Sequence, residues 1–375
     1  MPGGAPPEQS RRAPSKGKPQ TCRGNRMFGS QGLSSVSRGI RMVFALGAGW
    51  VCGAAMAVPT IDFGVANGYS GFFFGDVSGA ADVEGRLAVG GNLTRGFDVG
   101  YRNPYNAAGP TLVVKGNVSL TSEWGGNAGS IYNGPTYNTN TNASIGPSTG
   151  AWITAQTAPG QIVYGGSLNA QSWQYGSAVR NASFIDFAAA KTKLGALSTQ
   201  LAAQTQNGSW SALNSGISLV GDGVSDVQVF NLGNVGNLSN LQLSNVKRGA
   251  HIVINSSATQ VSFGGQLGGD QVNSTDALAL SRDRLVFNLS QASSVSVNSF
   301  LNGSVLAPNA AVTGSGHLEG TLIANSLAPS ANGSKLELGY EPFVTLSPVP
   351  EPDAGALLMA GLGALAFLSR RRRLS

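Results

Sequence analysis

Leu285-Val286-Phe287-Asn288-Leu289, Ser304-Val305-Leu306-Ala307 and Thr321-Leu322-Ile323-Ala324 are three short apolar runs set among Ser, Gly and Asn. From Leu285 to Val305 is 20 residues and from Val305 to Leu322 is 17. That spacing approximates one coil of a parallel β-helix, in which each coil stacks a strand on the last. Runs of this kind recur upstream: Leu87-Ala88-Val89 before Gly90-Gly91-Asn92, Leu112-Val113-Val114 before Gly116-Asn117, Ile162-Val163-Tyr164 before Gly165-Gly166, then Val227 to Leu232 and His251 to Asn255. Strands this short, closed by turn residues, suit a sandwich, a barrel or a solenoid. The regular late spacing, the small residues available for tight corners and the abundant Asn for stacked ladders favour an elongated parallel β-solenoid, mainly β, over a sandwich.

One segment departs from the pattern. Ser183 to Ala203 places Phe187, Leu194, Leu197 and Leu201 on one helical face, with Asp186 positioned to cap the start. An amphipathic helix over 183–203 is expected, packed on the β body because Gly195 lowers its intrinsic stability.

The two ends have another character. Val43 to Ala55 is an apolar stretch preceded by Arg38 and Arg41 and closed by Ala55-Met56-Ala57, a small-x-small site read by signal peptidase with cleavage before Val58. A start at Met27 would give this leader an ordinary length, and Val51 before Cys52 argues against lipidation. At the other end, Val349-Pro350-Glu351-Pro352 precedes an apolar run from Ala354 to Leu368 and then Arg370-Arg371-Arg372-Arg373. As a helix the run spans roughly 22 Å, marginal for a hydrocarbon core of roughly 30 Å. The arginines would hold the C-terminus in the cytoplasm and leave the Pro-Glu-Pro stretch on the outer face of the inner membrane. Three segments are therefore expected: leader and signal helix (1–57), β body (58–345) and sorting tail with a transmembrane helix (346–375).

Removing the ends reverses the charge argument. Of 24 Lys and Arg, eight precede residue 42 and four form the terminal cluster, so 12 remain against the 16 acids between Asp62 and Glu351. An acidic body gives no support to nucleic-acid binding. Both cysteines, Cys22 and Cys52, also precede residue 58, so the body has no disulfide and relies on packing.

The tail closely resembles the PEP-CTERM sorting signal of Gram-negative bacteria. The resemblance implies processing by an exosortase at Pro350-Glu351-Pro352 after export by the Sec machinery, and transient residence in the inner membrane before the cell surface or medium. A second resemblance rests on Gly75-Asp76, Asp82-Val83-Glu84-Gly85-Arg86 and Gly90-Gly91-Asn92, with Phe184-Ile185-Asp186-Phe187, Asn302 to Ala310 and Gly320 to Ala324. These stretches look like the signature, central and closing features of the choice-of-anchor A family of bacterial surface proteins. An adhesive role is what that resemblance implies. Gly339 stands where the family pattern leads one to expect a histidine.

Candidate chemistry in the body is sparse. Asp82 and Glu84 point to the same side of a strand and could bind Ca²⁺. The plainer reading is a salt bridge from Arg86 and an Asx turn at Asp76. Asp222 and Asp226 are weaker calcium candidates, lacking the spacing of an EF-hand loop. No other metal or cofactor is expected. His251 and His317 stand in or beside strands with no nucleophile motif nearby, and read as solvated strand residues rather than general bases. Trp124, Trp152, Trp173 and Trp210, with Tyr132, Tyr137, Tyr164 and Tyr175, lie mostly in Gly-, Asn- and Ser-rich surroundings and could stack on sugar faces of an extracellular polysaccharide, or plug loop cores. The Thr136 to Ala143 run lacks the regular Thr spacing of an ice-binding face. The sequence thus points to a non-enzymatic surface or matrix protein contributing to adhesion or biofilm. Its alternatives are a polysaccharide-active enzyme on a β-helix and an ice- or surface-binding module.

Overall fold

The computed structural model describes residues 60–104, 106–134, 137–138, 143–144, 158–269, 275–347 and 361–362. The expected signal helix, the cleavage site at Ala55 and Ala57, the tail residues Val349 to Pro352, the terminal run apart from residues 361–362, and Arg370 to Arg373 lie outside them, as does Trp152. Among the described residues no helix is long and apolar enough to cross a membrane.

The described body is mostly β, organised by one large parallel sheet with few helices. Its first wall is built from β1 (Tyr69–Phe73), β2 (Arg86–Val89), β3 (Leu112–Val114), β4 (Gln161–Tyr164), β5 (Ser177–Arg180), β6 (Val227–Asn231), β7 (His251–Asn255), β8 (Leu285–Asn288), β9 (Ser304–Gly314) and β10 (Leu322–Leu327). The spatial order is β6-β7-β8-β9-β10-β1-β2-β3-β4-β5, all parallel. The solenoid is therefore not wound from one end to the other. The chain starts in the middle at β1, coils outward to β5, crosses to β6 at the far end, and coils back until β10 meets β1.

That crossing explains the helix. The nine steps from β5 to β6 span about 43 Å at roughly 4.8 Å per strand. Helix α1 (Phe187–Ala202) contributes about 24 Å of the return. Asp186 caps it, accepting from the backbone N–H groups of Ala188 and Ala189. Phe187, Leu194, Leu197 and Leu201 are buried against the outer face of the wall. First-wall strands consequently bury both faces: Phe73, Leu87, Val114, Ile254 and Phe287 point inward, while Phe72, Ala88, Val113, Val253 and Val286 point toward the helix. This is why they read as unbroken apolar runs rather than alternating ones. A Cβ added at Gly195 would have nothing within 4 Å. Gly195→Ala is expected to stabilise the body by about 1 kcal/mol, read as a higher denaturant midpoint with an unchanged slope.

Asn ladders join the coils. Asp76 Oδ1 accepts from the Asn92 backbone N–H, Asn92 Oδ1 from that of Asn117, and Asn117 Oδ1 from that of Ser167, across sequence separations of 16, 25 and 50 residues. Gly91 is required beside this ladder, because a Cβ there would collide with the Asp76 carboxylate and backbone. A second ladder, Asn231–Asn255–Asn288, is tied to the helix: Asn255 Nδ2 donates to Leu201 O, and Asn288 exchanges bonds with Ser198. The unequal separations show how coils carry loops of different length at their corners while keeping register.

The entrance and exit of the body lie together. Ile61 and Leu346 exchange both backbone hydrogen bonds at 3.0 Å. His251 helps to close this seam, with Nε2 2.7 Å from Val344 O and its ring edge-on to Phe343.

Candidate functional site

Two features of the remaining walls bear on function. The second wall carries the pairings Asn237–Ser262, Ser262–Ser296 and Ser296–Thr313, beside Gln260–Ser294, Ser294–Ala311 and Ala311–Ser326. Between these rows, Val261, Val295, Val312 and Leu327 point inward and are buried. Bridges Leu327–Val77, Val77–Leu93 and Leu93–Val118 extend the wall across the midpoint of the stack. Strand alternation then places Ser78, Thr94 and Ser119 on the outer surface, and Ser119 pairs with Asn169. The result is an outward face of two rows of small polar side chains, about 4.8 Å apart from strand to strand, without a lysine or arginine in either row.

The third wall is the opposite in character. Strands Phe300–Asn302, His317–Glu319 and Glu337–Leu338 pair in register, and Leu338 bridges to Val83. Their outward residues bring together Glu319, His317 and Glu337 from the C-terminal half with Asp82, Glu84, Tyr101 and Arg102 from the N-terminal half. Arg102 Nη1 bonds Glu84 Oε2 and lies 3.1 Å from Glu319 Oε1. Glu84 Oε2 also accepts from the Tyr340 backbone N–H at 3.0 Å, and the Tyr101 hydroxyl reaches Asp82 and Glu84 at 3.2 and 3.3 Å. His317 Nδ1 lies 3.0 Å from Glu337 Oε1, and its ring stacks on Phe300 at 4.8 Å and 5°. Glu319 is fully buried.

Burial sets the electrostatics. It pushes the Glu84 carboxyl up to about 7 against the pull of Arg102, and, with Glu337 nearby, pushes Asp82 up to about 6. Burial opposes charge on His317, but contact with Glu319 and Glu337 outweighs it and raises the imidazole to about 10. Glu337 is held below the usual carboxylate range chiefly by His317; Glu319 is held low by His317 and Arg102 despite its burial. The raised acids favour the fold while protonated, and that contribution is lost as pH rises through about 6 to 7. The His317 contribution is lost only toward about 10, and that of the lowered acids as pH falls below their ordinary range. The thermal midpoint of the body is therefore expected to be highest near pH 5 and to decline by pH 8, as measured by circular dichroism in matched buffers.

The sequence-derived candidates are only partly brought together. Asp82 and Glu84 do share a side and join the cluster. The expected Arg86 partner is not there: Arg86 Nη2 donates to Ala108 O at 2.5 Å, and Arg102 takes its place beside Glu84. Asp76 is a rung of the Asn ladder, its carboxylate accepting from Asn92 rather than closing a local Asx turn. Asp222 accepts from Val224 N, Ser225 N and Ser225 Oγ in a turn, whereas Asp226 pairs with Lys247 at 2.5 Å, so the two do not converge. His317 is no solvated strand residue; it is held between Phe300 and the acids Glu319 and Glu337. Gly85 and Gly90 lie where a Cβ would strike Ser70 and Phe74. Trp124 and Trp173 are 90 % and 65 % exposed, while Trp210 donates Nε1–H to Asn231 O and packs on the core with Tyr164 and Tyr175. Tyr132 is half-buried. Arg102, Glu319 and Glu337 were missed by local reading. The 17- and 20-residue coil spacing, continued through Phe300, His317 and Glu337, is the signal that could have found that row.

Residues 62–337 match the family described as "Putative Ice-binding-like adhesive domain". The chain belongs to this family. Residues 348–373 match the PEP-CTERM protein-sorting motif, so the adhesive domain is part of an exported protein processed by an exosortase. No curated protein matches the chain. Among solved structures, the ice-binding protein of the Antarctic ascomycete Antarctomyces psychrotrophicus is 13 % identical over 77 % of this chain and 100 % of its own, with a TM-score of 0.27. An ice-binding protein from an Antarctic biological consortium is 11 % identical over 77 % and 93 %, with a TM-score of 0.28. Superpositions this poor carry no inference; the fold of the adhesive domain rests on its own strand pairing.

Proposed function

We propose that the protein is a non-enzymatic adhesin of the Gram-negative cell surface or extracellular matrix, and that its working surface is the small-polar second wall. The observation carrying this reading is the pair of rows, made up of Ser, Thr, Asn and Ala with Gln260, running along the stack on a domain whose family is adhesive. A surface of many equivalent small contacts suits an extended, repetitive partner better than a single small molecule. Exopolysaccharide in a biofilm matrix is the partner class we favour, with Trp124 and Trp173 as exposed rings able to stack on sugars. Membership of the choice-of-anchor A group, export through Sec with cleavage after Ala57, passage through the inner membrane and the division at 57 and 345 belong to the same reading. Against catalysis stand the full burial of Glu319 and the pinning of His317 by Glu337 and Phe300, which tie these side chains into the seam between the two halves.

Ice is a second reading, favoured by hydroxyl-bearing side chains repeating strand by strand along one row. Two assays separate the readings: co-sedimentation of the purified protein with the producing cell's exopolysaccharide, and thermal hysteresis. Binding without hysteresis supports the matrix adhesin, and hysteresis without polysaccharide binding supports ice. Release of reducing ends from that polysaccharide would overturn the non-enzymatic assignment.

A further inference from the structure

We infer that Glu84, His317 and Glu319 form a site for a divalent first-row transition metal that staples the two halves of the solenoid. One ligand atom from each lies within 4.8 Å of the others. Two buried atoms lack any hydrogen-bond partner, His317 Nε2 and Glu319 Oε2, and Glu319 is 0 % exposed. His317 Nε2 approaches Glu319 Oε1 at 3.3 Å, an ion-pair contact without the alignment of a hydrogen bond. Both unpartnered atoms lie side by side against Gly339, where a Cβ would come within 2.7 Å of His317 Nε2 and 2.6 Å of Glu319 Oε2. A glycine there keeps that place clear.

The surroundings are those of a metal-binding imidazole. A ligating histidine characteristically donates its other ring N–H to a carboxylate, which fixes tautomer and orientation. His317 Nδ1 faces Glu337 Oε1 at 3.0 Å, and Phe300 stacked on the ring holds its plane. Four carboxyl groups, those of Asp82, Glu84, Glu319 and Glu337, surround Arg102 and His317; a divalent ion that displaces the His317 Nε2 proton adds one net positive charge to this acid-rich cluster. Arg102 bonds Glu319 through Oε1, leaving Oε2 as the ligand atom. An imidazole nitrogen with two carboxylates suits zinc better than calcium, which takes six to eight oxygens. In a body whose sequence from 58 to 348 has no cysteine, such a staple would do across the β10–β1 seam what a disulfide does elsewhere.

The test is zinc binding by the full chain in mild detergent, with Cys22→Ser and Cys52→Ser in every variant to remove leader thiols. After equilibrium dialysis against Zn²⁺ with metal quantified by mass spectrometry, the parent is expected to hold one equivalent that His317→Gln lacks. Glu337→Gln keeps all three ligands and is expected to weaken binding about 10- to 100-fold. Zinc should raise the thermal midpoint of the parent and leave that of His317→Gln unmoved. Equal zinc content in the parent and His317→Gln would overturn the site, as would an affinity in Glu337→Gln within twofold of the parent. If His317→Gln does not fold, the Glu337→Gln affinity decides.

Discussion

Arg102→Ala is expected to destabilise the body by about 3–5 kcal/mol, the usual consequence of removing one partner from a buried ion cluster. A typical domain has only about 5–15 kcal/mol in total, so the loss should be plain in a urea midpoint. The cause is geometric. Arg102 comes from the loop after Val99 and sits between Glu84 on the N-terminal half and Glu319 on the C-terminal half. Both carboxylates are at least nine-tenths buried. Without the guanidinium they face each other across the seam where β10 meets β1. The loss should be smaller at pH 5 than at pH 8, because the Glu84 carboxyl, already raised to about 7 by burial, can then take up a proton. Arg102→Lys should recover only part of the stability, since the lysine ammonium ends one bond nearer the backbone than the Nη1 that contacts both carboxylates, and it is more strongly hydrated than a guanidinium. A midpoint within about 0.5 kcal/mol of the parent would mean that the cluster does not join the halves.

Replacing Pro350, Glu351 and Pro352 together by alanine is expected to abolish the processed form. The match to the sorting motif over residues 348–373 places these residues at the head of the signal. The described body ends beside its entrance, where Ile61 and Leu346 exchange both backbone hydrogen bonds, two residues before the matched signal begins. Intact mass spectrometry of protein from the cell surface and medium should give a parent species running from Val58 to a C-terminus near Pro350-Glu351-Pro352. The triple variant should retain Arg370 to Arg373. Equal masses for the two would show that this stretch does not direct processing.

What was legible in the sequence was what is local. The 17- and 20-residue spacing through residues 285–324 corresponds to consecutive coils, where Ser304 and Thr321 are still hydrogen-bonded at a separation of 17. The capped helical face from Asp186 to Leu201 needed only 3.6-residue periodicity and an acid in the right place. Asn-rich corners became ladders for the reason expected, since a side-chain amide can bond the next coil at each step. What was hidden is the order of coils. Separations of 16, 25 and 50 along one ladder give no period, and the meeting of β10 with β1 joins segments about 250 residues apart. The charged seam depends wholly on that meeting. Arg102 and Glu319 are 217 residues apart, so local reasoning gave Glu84 the nearest arginine, Arg86, instead of the one the fold supplies. The polar face was hidden likewise, because Ser296, Thr313, Ser78 and Thr94 become one surface only after the stack is assembled.

If that small-polar wall is the adhesive surface, blocking it must abolish binding. Ser296 and Thr313 are register partners in the outward row, so Ser296→Arg/Thr313→Arg places two long cations at its centre without entering the core. Thr192→Arg, on the exposed side of helix α1, adds the same side chain elsewhere. With circular dichroism showing that all three proteins are folded, binding to the exopolysaccharide and to ice should be measured side by side. The double variant is expected to lose at least about tenfold in affinity for whichever surface the parent binds, an effect on the order of 1.4 kcal/mol, while Thr192→Arg binds as the parent does. Parent-like binding by the double variant would contradict the assignment of this wall to adhesion.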